Sequence, residues 1–244
     1  MASPRPGLLL AALLAGCLPG PGPQPGEYTV TVEPVDEVCA VGPVRPEWAA
    51  QVLVREGLAP AGFGGAPRGS LCVTSSAFHG VAFREAVYGL YVVPIGAEGE
   101  GAPPELFLVA ALESLRSFAW VERTRNASPY HHGTVQHTVG PGGIDVHLAT
   151  PEGEVLAARS AALPGAPEPA VFEGRIFQRG RTFFYARLEG TLDRRRAAPG
   201  DSFVVGPDAA GPFAEALRAS AFVPGEWWVR PAGRHAKGDT ASVE

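Results

Sequence analysis

Apolar and polar residues fall in short, separated runs along most of this chain, and their spacing marks out strands more often than helices. Glu27-Tyr28-Thr29-Val30-Thr31-Val32 alternates with period two and reads as a strand. Phe83 to Ile95 and Glu105 to Ala110 are β-rich runs on either side of the Gly/Glu/Pro loop Gly96 to Pro104, so they are expected to pair. Leu112 to Arg123 has apolar residues at 112, 115, 118 and 119 among good helix formers, the spacing of a helix. Thr134 to Val139, Ile144 to Ala149 and Glu154 to Arg159 form an antiparallel meander, the last two joined by the turn Thr150-Pro151-Glu152-Gly153. Val171 to Arg179 and Arg181 to Glu189 flank Gly180 as a second hairpin whose loop has two or three residues. A slip of one residue there would exchange its two faces. Pro212 to Ala219 reads as a short helix, and Gly225 to Arg230 as a last strand. The fold class expected is α+β, mainly antiparallel β: a single partly open barrel or sandwich over residues 27–232 with two short helices, then a polar tail over 233–244.

Composition sharpens this picture. A 244-residue chain that is 45% hydrophobic can bury a real core, which excludes disorder throughout. Its 31 glycines and 25 prolines lie mostly between the apolar runs, as turns of short strands require. With 20 Lys plus Arg against 25 Asp plus Glu, the formal charge is −5, and no nucleic-acid partner is expected. Among the 20 cations the single lysine is Lys237. Few lysine-dependent chemistries can survive that.

The N-terminus supplies a location. Residues 1–16 carry one charge, Arg5, then the apolar run Leu8 to Leu14 and small residues, the plan of a secretory signal. That run is too short to span a bilayer. Leu14-Ala15-Gly16-Cys17 resembles a bacterial lipobox, which implies cleavage before Cys17 and acylation, palmitate included, of its thiol. The other reading is an ordinary signal peptide with an incidental cysteine. Leu18 to Gly26 has seven Pro or Gly in nine residues and reads as a tether, so 17–26 joins a lipidated cysteine to the domain. Leu18 in place of an Asp after the cysteine resembles outer-membrane sorting, placing the protein in the cell envelope, on the periplasmic face of an outer membrane where the organism has one. Loss of residues 1–16 removes only Arg5 from the total of −5, leaving 228 residues at −6. Of the three cysteines, Cys39 and Cys72 then remain as a pair, expected as a disulfide in an oxidising compartment and otherwise as two buried thiols.

Much familiar chemistry is excluded. Gly62-Phe63-Gly64-Gly65 lacks the Lys-Ser/Thr of a phosphate loop, and no Gly-x-Ser-x-Gly elbow is present. Gly200-Asp201-Ser202-Phe203 superficially resembles a GDSL-type nucleophile block, but only 42 residues follow and none forms an Asp-x-x-His pair. Four of six histidines, His131, His132, His137 and His147, fall within 17 residues and could converge on zinc or copper; without ligand spacing they are read as solvated or hydrogen-bonded, and no metal and no cofactor are expected. The second hairpin interleaves Arg175, Arg179, Arg181 and Arg187 with Phe177, Phe183, Phe184 and Tyr185. Lining a cavity, these would suit a small anionic ligand; on a wet face they would pair across strands with Glu173 and Glu189. Arg194-Arg195-Arg196 reads as a solvated loop able to touch anionic headgroups.

From Phe83 onward the order of elements resembles the acetoacetate decarboxylase-like family. The likeness rests on Phe83-Arg84-Glu85-Ala86-Val87, on the strand and helix of Glu105 to Arg123, and on the loop Thr124 to Tyr130 with its Pro129. Gly174-Arg175-Ile176 and Pro224-Gly225-Glu226 follow. The family carries a lysine directly after that loop proline, which forms a Schiff base with a β-keto acid. This chain has Tyr130 there, and Arg125 stands where the family's Glu would be. The resemblance thus implies the cavity without its catalytic lysine, with Lys237 expected in the polar tail. Arg123 and Arg125 would bind an anion at its mouth, with Tyr130 or His132 as acid or base.

Two functions follow from these readings. The first is a lipid-anchored envelope protein whose β-rich domain binds a small ligand or a partner without catalysis. The second is an extracytoplasmic enzyme on a decarboxylase-like fold, acting on a small carboxylate without a Schiff-base lysine.

Overall fold

The computed structural model describes residues 25–61, 66–95, 105–126 and 128–242. The signal segment, Cys17 and the tether up to Gln24 lie outside these, as do Gly62 to Gly65 and the Gly96 to Pro104 loop. Along the chain come β1 (Val30–Pro43), α1 (Pro46–Leu53), β2 (Leu58–Pro60), β3 (Arg68–Phe78), β4 (Val81–Pro94), β5 (Glu105–Glu113), α2 (Arg116–Arg125) and β6 (Tyr130–His132). The second half adds β7 (Thr134–Gly140), β8 (Gly143–Thr150), β9 (Gly153–Ser160), β10 (Glu168–Gln178), β11 (Thr182–Arg196), β12 (Ser202–Val205), α3 (Pro212–Ser220), β13 (Glu226–Lys237) and β14 (Ala241–Ser242).

Strands β4, β3, β1, β13, β11, β10 and β5 are neighbours in that order, and β5 pairs back with β4. The ring closes as a mixed seven-stranded barrel, with the β10–β5 contact parallel. A second sheet, β12-β9-β8-β7, is the expected meander extended by one strand. The barrel is closed rather than partly open, and the described residues hold three short helices rather than two.

A barrel strand whose outer face is also covered must be apolar on both faces, and β1 shows how the sequence meets this. Val38 and Ala40 join the large core beneath the second sheet, α1 and α3, while Cys39 and Val41 join Tyr91 and Val93 in a separate interior cluster. Such strands read as runs, not alternations, so their true lengths were hidden. Leu112, expected in a helix, is fully buried in β5, and the helix starts at Arg116 instead. The added helix, α1, begins with Pro46 in its first turn and buries Ala49 and Leu53, one turn apart. Its following turn ends at Gly57, in the left-handed region with φ +72°.

The second hairpin has a three-residue loop, since Gln178 pairs with Thr182, and Gly180 and Arg181 both have positive φ. Glu56 accepts both of their backbone N–H groups at 3.0 Å. Cys39 and Cys72 lie directly opposite on β1 and β3 and are joined as a disulfide. The last strand is the largest departure. β13 runs on to Lys237, five residues into the stretch expected to be a tail, pairing with both β1 and β11 through a shift in register.

Candidate functional site

One end of the barrel is where β1 begins, β13 ends and α2 crosses. Val30 pairs with Lys237, and the Thr29 N–H donates to the Lys237 carbonyl at 2.9 Å. The Lys237 side chain turns inward. Its Nζ donates to both carboxylate oxygens of Glu122 on α2, at 2.9 and 2.8 Å, and lies 4.5 Å from the centre of the Phe184 ring. Ala119, one turn before Glu122, is buried with Leu108, Ala111 and Tyr130, so the same helical face that packs the barrel mouth carries the acid.

Tyr130 and Glu85 stand beside this pair. Tyr130, 9% exposed, donates through Oη to Glu85 Oε2 at 2.8 Å, and Thr74 Oγ1 reaches the other carboxylate oxygen at 3.4 Å. Burial raises the Glu85 carboxyl above its usual range, against the stabilising hydrogen bond from Tyr130. Burial, with the Glu85 and Glu122 carboxylates, holds the Tyr130 hydroxyl well above its usual value. Opposite Glu85 on the neighbouring strand lies Glu113, 3% exposed. Burial pushes Glu113 up to about 8, although the Leu115 N–H donates to it at 2.9 Å. Three acids, a phenol and the chain's only lysine thus gather at this end of the barrel, where burial perturbs the titration of Glu85, Glu113 and Tyr130, a pattern found at functional sites.

The expected residues are distributed unequally around this cluster. Tyr130 is at its centre. His132, opposite Glu113 on β5, is half-buried at its edge, and His131 is held below its usual value by burial and then by Arg123 and Arg179. Arg123 is exposed on α2; Arg125 ends that helix, and its side chain lies outside what the structure describes. Arg175 and Arg187 are elsewhere. Arg175 donates twice to Glu105, at 2.6 and 2.8 Å, under Phe177 and Phe183, and Arg187 bridges Glu173 and Glu189. Their hairpin face is the outer one, and cross-strand pairing accounts for both arginines. The remaining histidines do not converge either. His147 pairs with Glu154 on an outer face, and His137 is half-buried near Asp36 and Arg84. Among the described residues the one group within metal-ligating distance of itself is Glu37, Cys39 and Cys72, whose sulfurs are joined to each other.

Glu85, Glu113, Glu122 and Lys237 were not anticipated as site residues. Glu85 and Glu113 did leave a trace, since each is an acid set in an apolar strand run. Lys237 left none, because Pro231-Ala232-Gly233 interrupts the alternation that would have carried the strand to it.

A closed mixed barrel whose mouth is crossed by one short helix is the acetoacetate decarboxylase-like fold. Solved structures that share it include the enduracididine biosynthesis enzyme MppR with HEPES buffer bound, at TM-score 0.59 and 17% identity over 92% of this chain and 98% of that one. MppR complexed with pyruvate superposes at TM-score 0.59 with 16% identity, covering 91% of this chain and 92% of that one. The acetoacetate decarboxylase from Legionella pneumophila subsp. pneumophila str. Philadelphia 1 gives TM-score 0.55 with 10% identity over 93% of both chains. No family model matches the chain, and neither does any curated protein.

Proposed function

We propose that this is a lipid-anchored envelope protein whose barrel captures a small oxo acid as an imine on Lys237. The observation that carries the reading is the position of the Lys237 amine inside the barrel mouth, against Glu122 and beside the buried Glu85–Tyr130 pair. The ligand class draws support from MppR, a protein of the same fold solved with pyruvate. The anchor rests on Leu14-Ala15-Gly16-Cys17 and the Pro/Gly tether after it.

The chemistry balances within the cluster. Glu122 takes a proton from the Lys237 ammonium, and the freed Nζ lone pair forms a bond to the carbonyl carbon. The carbonyl π electrons move to oxygen, which takes that proton back from Glu122; Glu122 then removes a second proton from the nitrogen and delivers it to the hydroxyl, and the nitrogen lone pair expels water. Two of the three ammonium protons thus depart with the oxygen, leaving a protonated imine. A carboxylate in contact with the amine that can take a proton and return it is what these steps need. The reading differs from a mechanism without a lysine in taking its amine from β13, since the position after Pro129 holds Tyr130.

Incubation with pyruvate and borohydride tests the reading. A stable carboxyethyl adduct on the peptide containing Lys237, absent from Lys237→Met, is expected. A wild-type protein that gains no such adduct overturns imine capture.

A further inference from the structure

We infer that the outer surface of α2 docks on an anionic bilayer, so that the site end of the barrel faces the membrane; this rests on the lipid anchor proposed above. The chain itself limits where the bilayer can be. Nine residues, Leu18 to Gly26, separate Cys17 from the start of the domain, and even fully extended they span no more than about 30 Å. Gly26 leads directly into the residues that pair with Lys237, and Lys237 is tied to Glu122. The tether therefore emerges from the end of the barrel that α2 covers.

That surface has the composition of an interfacial helix. Trp120 is 54% exposed and Val121 36%, and Phe118 contacts Phe78 and Phe83 of the β3–β4 hairpin, whose tip adds Val81 at 50%. Tryptophan partitions to the headgroup region, where its ring sits among acyl-chain ends while its N–H stays hydrated. Charge points the same way. The helix Arg-Ser-Phe-Ala-Trp-Val-Glu-Arg-Thr-Arg holds three arginines and one acid, and that acid is occupied by Lys237. Arg116 and Arg123 are exposed on it, a basic helix on a chain whose net charge is −5. Short polar helices that expose a few apolar side chains among basic ones bind weakly by themselves, but a lipid tether holds this one at high local concentration over the surface. Docking would set the barrel mouth toward the headgroups.

The test uses the lipidated full-length protein reconstituted into vesicles of phosphatidylethanolamine and phosphatidylglycerol, with or without brominated acyl chains. Bromine quenches tryptophan emission only at contact, and the other tryptophans, Trp48, Trp227 and Trp228, are buried or half-buried away from α2. Brominated vesicles should quench the wild type, and Trp120→Phe should lose most of that quenching. Arg116→Glu with Arg123→Glu should reduce it, most at high phosphatidylglycerol. Vesicle-bound wild type that is not quenched, or is quenched no more than Trp120→Phe, overturns the docking and leaves the anchor standing. Protein that fails to float with vesicles at all overturns both.

Discussion

Lys237 and Glu122, 115 residues apart in the chain, meet at the barrel mouth with both carboxylate oxygens of Glu122 within 2.9 Å of Nζ. This contact joins the last long strand to α2, so it is a structural tie as well as part of the candidate site. With side chains about a quarter exposed, it lies between the regimes of surface and buried pairs. Lys237→Met should cost about 1–2 kcal/mol of stability, and the Lys237→Met, Glu122→Gln double variant should cost less than the sum of the two singles. Urea denaturation of the four proteins measures this, and strict additivity would show that the pair is not energetically coupled.

Stability should depend on pH through Glu113. Its folded-state value of about 8 lies above the ordinary 4.5, so between these pH values the folded protein keeps a proton that the unfolded chain has lost. Stability should accordingly fall as pH rises through that window and be unaffected by Glu113 below it. The full shift is equivalent to at most about 4–5 kcal/mol. Glu113→Gln, which can still accept from the Leu115 N–H, should flatten the decline. Melting curves from pH 5 to 8 that are parallel for the two proteins would show that Glu113 titrates normally.

Cys39 and Cys72 close a loop with a sequence separation of 33, and in the chain-entropy model their bond is worth ~3–4 kcal/mol. The Cys39→Ser, Cys72→Ser variant should melt roughly 10 °C lower, at 2–4 °C per kcal/mol for a domain of this size. Thiol titration of the denatured, unreduced wild type should find neither cysteine free; two titratable thiols would contradict the disulfide.

Gly42 marks the tightest backbone approach at the base of β1. A Cβ there would sit 1.9 Å from the Val223 carbonyl oxygen, beside the hydrogen bond from Gly225 N–H to the Val41 carbonyl. Neither backbone can yield without breaking that bond. Gly42→Ala should destabilise by about 2–4 kcal/mol in thermal melts, whereas Gly80→Ala should cost about 1 kcal/mol, from its positive φ alone.

Location has its own test. Cys17→Ala should release the protein from the membrane fraction; continued retention would remove the lipid anchor and with it the membrane-facing orientation of α2.

The sequence by itself determined the β-rich class, the meander from Thr134 to Arg159, the Arg-rich hairpin and the pairing of Cys39 with Cys72, because each depends on local alternation, turn chemistry or counting. It also singled out Tyr130 as a candidate, through its position after Pro129 in the resemblance. It did not show the site's other members, because each owes its role to a partner far away in the chain. For Arg175 and Arg187 the sequence left open whether they bind a ligand or pair across strands, and only the register shows Glu105, Glu173 and Glu189 against them. Lys237 looks like part of a solvated tail until β1 and β11 extend β13 past its Pro-Ala-Gly interruption and turn the amine inward. Strand pairing is a long-range property, and which face of a strand is enclosed is decided only when the barrel closes. Tertiary structure therefore set Lys237 among the acids that surround it, by bringing together strands and a helix that share no local signal.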